Sequence, residues 1–327
     1  MTLDRRFCTA PMMDWTDRHC RYFWRQLSQH AVLYTEMVTT GALLHGDANR
    51  FLAYSIDENP VALQLGGSEP EALARCAKLA ERWGYAEVNL NVGCPSDRVQ
   101  NGMIGAILMR HAGLVRDGVA AMRAATTLPI TVKHRLGVDD DDSEAFLWDF
   151  VGTVAESGCG TFIVHARKAL LQGLSPKENR EVPPLDYDRV ARLKADFPQL
   201  EIIVNGGLDV AQAEQELLRF DGVMLGRAVW QQPMLLAEVD QRFYGDAAAP
   251  ELTALAVAER MTPYIAAQLA AGVRLHTVVK PLFNLFQSQR GARQFRRLLS
   301  ERAHLPGADL SVWTAALECV QPHLASA

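Results

Sequence analysis

Apolar positions gather into eight short runs over the first three quarters of the chain: FCTA (7–10), VLYT (32–35), VALQL (61–65), EVNLNV (87–92), ITVKH (130–134), TFIVH (161–165), EIIVN (201–205) and GVMLG (222–226). Their length and their β-branched and aromatic content predict strands. Between them lie stretches such as EPEALARCAKLAERWG (69–84), whose apolar residues recur at helical spacing. Strands that alternate with helices run parallel, because a crossover helix is what returns the chain to begin the next strand in the same direction. Eight such units over about 230 residues predict an α/β fold of the (β/α)8 TIM-barrel type.

Two connections exceed what a strand-to-helix turn needs. GCPSDRVQNG (93–102) follows the fourth run and ARKALLQGLSPKENREVPPLDY (166–187) follows the sixth. In a barrel both leave the carboxyl ends of strands, the end that carries active sites, and long loops in a compact domain are commonly functional. The strand pattern stops near Tyr244, GDAAAPE (245–251) has the composition of a linker, and the remainder is helical in pattern. The predicted organisation is a barrel over residues 1–245 and a small C-terminal all-helical domain over 250–327.

Composition narrows the class. Of 327 residues, 49% are hydrophobic and 22% charged, the balance of an ordinary globular protein. No run approaches the ~18 apolar residues of a membrane helix. The opening MTLDRRFCTAPMMDW holds no apolar stretch of signal-peptide length, so the expectation is a cytoplasmic protein with no membrane partner. The six cysteines, Cys8, Cys20, Cys76, Cys94, Cys159 and Cys319, form no CxxC pair and no Cys/His cluster at zinc spacing. Neither a disulfide framework nor a metal site is expected. The net charge of −5 counts against a polyanionic partner, but its distribution does not. Residues 272–304 carry seven cations against Glu301, a local +6 that leaves −11 on the rest, and a local basic face is what binds a polyanion.

The candidate chemistry lies at the ends of the runs. Asn205, Gly206 and Gly207 end the seventh, and Gly226 and Arg227 end the eighth. Barrel enzymes commonly bind phosphate with the loops after these two strands. Glycine lets backbone N–H groups approach the anion, and an arginine adds a charge-assisted bond. Glycines also end strands at ordinary turns, but their presence at both positions favours phosphate. Gln64, Asn91, Lys133 and His165 form a second set. Lys133 stands in a run that should be buried, and a lysine is rarely buried without a partner. An isoalloxazine ring suits it, since the cation stabilises negative charge at N1/O2 of the reduced flavin. Gln64 offers both a donor and an acceptor to a ring edge. His165 by itself reads as a satisfied core histidine; beside phosphate loops it reads as a cofactor contact. Cys94 follows a strand through Gly93 and precedes Pro95, which places a thiol at the barrel mouth, where it can donate a proton. A buried structural cysteine is the equal alternative. There is no G-x-G-x-x-G after a strand, no P-loop and no HExxH, so a nicotinamide would bind only transiently.

Seven blocks then occur in order: APMMDWTDRHCRYF (10–23), LYTEMVTTGA (33–42), ALQLGG (62–67), NLNVGCPSDRVQNG (89–102), SPKENREVPPLDY (175–187), VNGG (204–207) and the GAR-x-x-RR stretch (291–297). Together they resemble the tRNA-dihydrouridine synthase family, most of all its A-type branch, which acts on positions 20 and 20a of the D-loop. The resemblance spans residues 7–304. It implies FMN as cofactor, NADPH as reductant, and reduction of the uridine C5=C6 bond. By matching motif it implies that Pro11, Met12, Met13, Gln64, Lys133, His165, Asn205, Gly206, Gly207, Gly226 and Arg227 hold FMN. Cys94 would give the proton and Asn91 would touch the base. Lys177 and Arg180 would meet tRNA from the barrel loop, and Arg293, Arg296 and Arg297 from the helical domain. The sequence departs from the family pattern at His134, at Met103–Ile104 and over 278–286; none of these touches Cys94 or the cofactor set, and the last bears on the details of tRNA docking. A monomer is expected. Two other readings compete: an FMN-dependent oxidoreductase of a free pyrimidine or dihydroorotate-like molecule, which needs no basic 272–304 segment, and a non-catalytic RNA-binding protein, which needs no flavin.

Overall fold

The computed structural model describes residues 3–96 and 102–321; residues 97–101 of the 93–102 connection lie outside them. Eight strands form: β1 (Phe7–Thr9), β2 (Leu33–Thr39), β3 (Val61–Gly66), β4 (Glu87–Val92), β5 (Ile130–Arg135), β6 (Thr161–His165), β7 (Glu201–Asn205) and β8 (Gly222–Leu225). They hydrogen-bond in the order β1-β8-β7-β6-β5-β4-β3-β2, and every pair is parallel. The ring closes where Thr9 N–H donates to Val32 O at 2.9 Å and Val32 N–H to Phe7 O at 3.0 Å. The sequence runs and the strands agree to within a few residues at their ends. β2 reaches furthest beyond its run, because Met37–Thr39 pair with Gln64–Gly66 after a register shift.

Local chemistry starts and stops the helices between strands. Pro70 opens helix Pro70–Trp83 and Gly84, at φ 83°, ends it in the left-handed conformation that glycine adopts without a Cβ penalty. Ser143 caps helix Glu144–Ala155 by accepting from Phe146 N–H, and Asp209 and Gln212 cap each other's backbone at helix Val210–Glu216. The barrel is filled by its own side chains. Cys8, Ala10, Val32, Tyr34, Ala62, Ile163, Ile203 and Met224 form the apolar part. The inward faces of β4 and β5 are polar: Glu87, Asn89 and Thr131 are fully buried.

The chain divides into two compact units. One joins Met1–Met13 to Val32–Gly226 and holds all eight strands. The other joins Asp14–Ala31 to Arg227–Ala327 and is helical throughout its described residues. The composition break at 245–251 falls inside this second unit, which begins directly after β8 and recruits helix Arg18–Arg25 from the N-terminal part of the chain. Asp240 holds that recruited segment: its carboxylate accepts from Ser28 Oγ, from Gln29 N–H at 2.7 Å and from His30 N–H at 3.2 Å. Phe286, Phe295 and Trp313 pack edge to face in this unit's core, with Trp313 Nε1 donating to Thr262 Oγ1 at 2.9 Å.

Candidate active site at the barrel mouth

The strand register brings the candidate residues into one layer at the carboxyl end of the barrel. Asn91 of β4 is the register partner of Lys133 on β5, Arg135 of β5 is the partner of His165 on β6, and His165 is the partner of Asn205 on β7. Gln64 of β3 lies one step below, beside Asn89. The predicted strand-end set is therefore gathered in space.

The turn after β4 is built around Asn91. Its Oδ1 accepts from Gly93 N–H at 3.1 Å and Cys94 N–H at 3.0 Å, while its Nδ2 donates to Gln64 Oε1 at 2.8 Å. The carbonyl of Asn91 is thus occupied by its own loop, and one amide hydrogen is left for another partner. Ala106 N–H donates to Cys94 O at 2.9 Å. Gly105, at φ 84°, packs against the cysteine so closely that a Cβ there would lie 2.3 Å from Cys94 O. Only glycine fits that approach. The thiol-bearing residue is held from both sides and is partly exposed.

The charge at this end is mostly positive. Burial, followed by the nearby Arg135 guanidinium, brings the Lys133 ammonium down to about 7. Burial is also the main cause for Arg135, lowered to about 10, with Arg180 and Arg167 acting in the same direction. His165 is pushed well below its ordinary value by burial and then by Arg135, Lys133, Arg167 and Arg180, so its imidazole is neutral. Arg135 spends its donors on backbone carbonyls: Nε to Gly93 O at 3.2 Å, and Nη1 to Lys168 O at 3.2 Å and Asn179 O at 2.9 Å. It ties the loop after β4 to the loop after β6 without a carboxylate in those bonds. Asn179, fully buried, organises the second loop by accepting from Leu170 N–H at 2.8 Å and donating to Leu170 O at 2.9 Å. Lys177 and Arg180 flank it and are exposed.

On the opposite side, Asn205 Nδ2 donates to Met224 O at 2.7 Å and fixes the end of β7. Gly206 has φ 124°, and a Cβ there would meet His165 Cδ2 at 2.8 Å; Gly207 has φ 69°. Met12 lies beside Gly226, within 3.2 Å of where a Cβ would stand, and Met13 is exposed next to it. Pro11 is partly exposed at the same strand end. Arg227 opens the short helix Arg227–Gln231 and belongs to the helical unit. In that unit, helix Ala292–Arg302 buries Ala292, Phe295 and Leu299; Arg293 and Arg297 are exposed on its other side, and Arg296 is half-buried at the edge of the packed face. Arg296 donates to Gln287 Oε1 at 2.6 Å and Arg297 to Glu301 Oε1 at 2.7 Å.

A family profile described as Dihydrouridine synthase (Dus) matches residues 8–321. The chain belongs to the dihydrouridine synthase family. Among its relatives, a tRNA-dihydrouridine(20/20a) synthase of Pseudomonas syringae pv. tomato is 57% identical over 322 residues, 98% of this chain and 96% of the relative. The proteins of that name from Pseudomonas putida and Escherichia coli are 58% and 57% identical, over 97% and 96% of this chain and 94% and 91% of the relatives. Among solved structures, a morphinone reductase in complex with tetrahydroNAD aligns with a TM-score of 0.53 at 15% identity, over 79% of this chain and 91% of that one. An old yellow enzyme homologue from Zymomonas mobilis aligns at 0.52 and 11%, over 76% and 91%. At such identities the likeness is one of fold, and it is the barrel fold found here. No group of side chains able to hold a metal ion occurs among the described residues of this dihydrouridine synthase, and none of its described helices is long and apolar enough to cross a membrane.

Sequence reasoning passed over Arg135, Asn179, Glu87, Asn89 and Thr131. A signal for the barrel residues existed: E-x-N-x-N in EVNLNV is a period-two polar pattern inside a strand expected to be buried. Asn179 had no such signal, because its role depends on a loop closing around it.

Lys133 generates a prediction with a definite sign. Its value is lowered from 10.5 to about 7, so between those limits the unfolded chain holds more protons and stability rises with pH. Below about 7 the cost of the half-buried ammonium is fully present. Lys133→Met should therefore raise the unfolding temperature of the ligand-free protein most below pH 7, and the gain should fade toward pH 10.5. Thermal melts of the two proteins across that range check it.

Proposed function

We propose that this protein reduces the C5=C6 bond of uridine at positions 20 and 20a of the tRNA D-loop, giving 5,6-dihydrouridine, with FMN as cofactor and NADPH as reductant. The observation that carries the reading is the near full-length match to relatives that bear the name of this activity. The reading makes Met1–Met13 with Val32–Gly226 the cofactor-binding and catalytic part and the helical unit a tRNA-binding part, and it takes the protein to act as a monomer in the cytoplasm.

The residues fit a flavin nucleotide. The cations that crowd His165 favour a ligand with negative charge, and the left-handed turn at Gly206 and Gly207 opens backbone N–H groups toward a phosphate. Asn205, Gly206, Gly207, Gly226 and Arg227 would take the phosphate end. Pro11, Met12, Met13, Gln64, Lys133 and His165 would border the ring. When bound and reduced by NADPH, FMN would be the source of a hydride for C6 of uracil. Negative charge then develops on C5 and O4, because the C5=C6 bond is conjugated to the C4 carbonyl. Cys94 gives its proton to C5. The free amide hydrogen of Asn91 is available to the base, and a donor aimed at developing charge is worth about 3 kcal/mol in a transition state. Taking the base out of the RNA costs a few kcal/mol (~2–4), least in an unpaired loop. Lys177 and Arg180 on the barrel loop, and Arg293, Arg296 and Arg297 on the helix, would meet the phosphates of the rest of the tRNA. A free pyrimidine would call for neither set.

The direct test joins two measurements: the visible spectrum of the purified protein, expected to be that of bound FMN, and dihydrouridine mapping in tRNA from cells with and without the gene. Loss of dihydrouridine at 20 and 20a is expected; a colourless protein that takes up no FMN, or unchanged tRNA, overturns the proposal. Cys94→Ala should slow oxidation of the reduced flavin by tRNA by about 10²–10⁴-fold, the usual worth of a general acid, and leave flavin reduction by NADPH at its normal rate. Rapid mixing of each half-reaction separates this from a packing role, which would affect both. The double variant Arg293→Ala/Arg297→Ala should weaken tRNA binding and lower the salt slope by about one unit per lost phosphate contact, as read by binding titrations over a salt series.

A further inference from the structure

The buried polar side chains of β3, β4 and β5 form a single file. Thr131 Oγ1 donates to Glu87 Oε1 at 2.6 Å, Asn89 Nδ2 to Thr131 Oγ1 at 2.8 Å, Gln64 Nε2 to Asn89 Oδ1 at 2.8 Å, and Asn91 Nδ2 to Gln64 Oε1 at 2.8 Å. The file ends where Asn91 Oδ1 accepts the backbone N–H groups of Gly93 and Cys94. Glu87 stands at the other end, ion-paired to Arg5 Nε at 2.6 Å and accepting the Tyr34 hydroxyl at 2.7 Å.

Chemistry fixes the direction of this file from both ends. A carboxylate can only accept, so the Thr131 hydroxyl donates to it and presents a lone pair. Asn89 then has to face Thr131 with its NH2 and face Gln64 with its oxygen. Gln64 in turn turns its NH2 to Asn89 and its oxygen to Asn91. The backbone N–H groups of Gly93 and Cys94 can only donate, which independently demands the Asn91 oxygen. Reversing any one amide sets donor against donor on one side and acceptor against acceptor on the other, in a buried region. The three amides therefore hold one joint orientation.

We infer that Glu87, Thr131 and Asn89 are positioning residues for Cys94, acting through Gln64 and Asn91 to hold the turn that presents the thiol. The inference rests on the proposed role of Cys94 for its place in the reaction, but the positioning itself is a property of the ligand-free protein. The decisive comparison uses Thr131→Val, Thr131→Ser and Tyr34→Phe. Thr131 and Tyr34 each donate one hydroxyl to the same Glu87 oxygen, and only Thr131 lies in the file. The readout is the rate of Cys94 alkylation by iodoacetamide, resolved by peptide mass spectrometry, on protein stripped of cofactor and alongside a thermal melt. Thr131→Val should change that rate by about fivefold, the weight of one hydrogen bond. Thr131→Ser should restore it although it deletes a methyl group, and Tyr34→Phe should leave it unchanged while lowering the melting temperature. Asn89→Ala, which cuts the file at its next member, is read in the same way as Thr131→Val. Wild-type alkylation in both cutting variants, or an equal change in Tyr34→Phe, overturns the inference. Dihydrouridine formation by the cofactor-loaded variants is scored separately. A changed alkylation rate with undiminished turnover supports the positioning and sinks the proton-donor role of Cys94.

Discussion

A strand in a barrel turns every second side chain inward, and whatever is polar there has to find its partners within the protein. β4 and β5 bury Glu87, Asn89, Asn91, Thr131 and Arg135, and the half-buried Lys133 stands beside Asn91. A buried amide or hydroxyl without a partner costs on the order of 1–3 kcal/mol, so Asn89, Asn91 and Thr131 are tolerable there only because each is hydrogen-bonded. The Arg5–Glu87 pair at the amino end is where that set is anchored. Burying an ion pair adds little net stability in general. Its consequence here is directional. The Glu87 carboxylate decides which way the Thr131 hydroxyl points, and the orientation is passed from Asn89 to Gln64 to Asn91 and so to the turn that carries Cys94. Burial opposes the charge of Arg5, but the Glu87 carboxylate and that of Glu201, 3.0 Å from Arg5 Nη1, hold its guanidinium above its ordinary value.

At the carboxyl end the same constraint is met with the opposite sign of charge. Arg135 is satisfied by three backbone carbonyls, from Gly93, Lys168 and Asn179. Dipoles orient a guanidinium without neutralising it, and the positive field of the mouth survives. Burial and then that field depress His165 and Lys133 in the ligand-free protein, and the field turns into attraction once a negatively charged ligand enters. Because the same three carbonyls lie in the loops after β4 and β6, the group that shapes the electrostatics also holds together the two segments that frame the opening.

Much of this was legible in the sequence. The eight strands, their parallel order and the helical C-terminal part follow from hydrophobic periodicity, because period and length are local properties of a segment. The strand-end residues Gln64, Asn91, Lys133, His165 and Asn205 were legible for the same reason: in a barrel the inward positions near the carboxyl end of each strand face the mouth. The Gly206–Gly207 turn announced itself through residue type alone.

What the periodicity does not carry is pairing across the ring. Glu87 and Arg5 are 82 residues apart, Thr131 and Glu87 are 44, and Arg135 and the Asn179 carbonyl are 44. The Thr131–Glu87 contact exists because strand register sets β4 beside β5, and the others because the fold brings a chain end or a loop against a strand; hydropathy contains neither. The division into units is of the same kind. Helix Arg18–Arg25 precedes β2 in the chain yet belongs with residues 227 onward, held by Asp240 through donors more than 200 residues away. Sequence by itself determined which segments are strands, which are helices, and which residue types stand at the strand ends. The tertiary structure alone decided which of those residues hold one another in place, since a hydrogen bond is set by distance in space and not by distance along the chain.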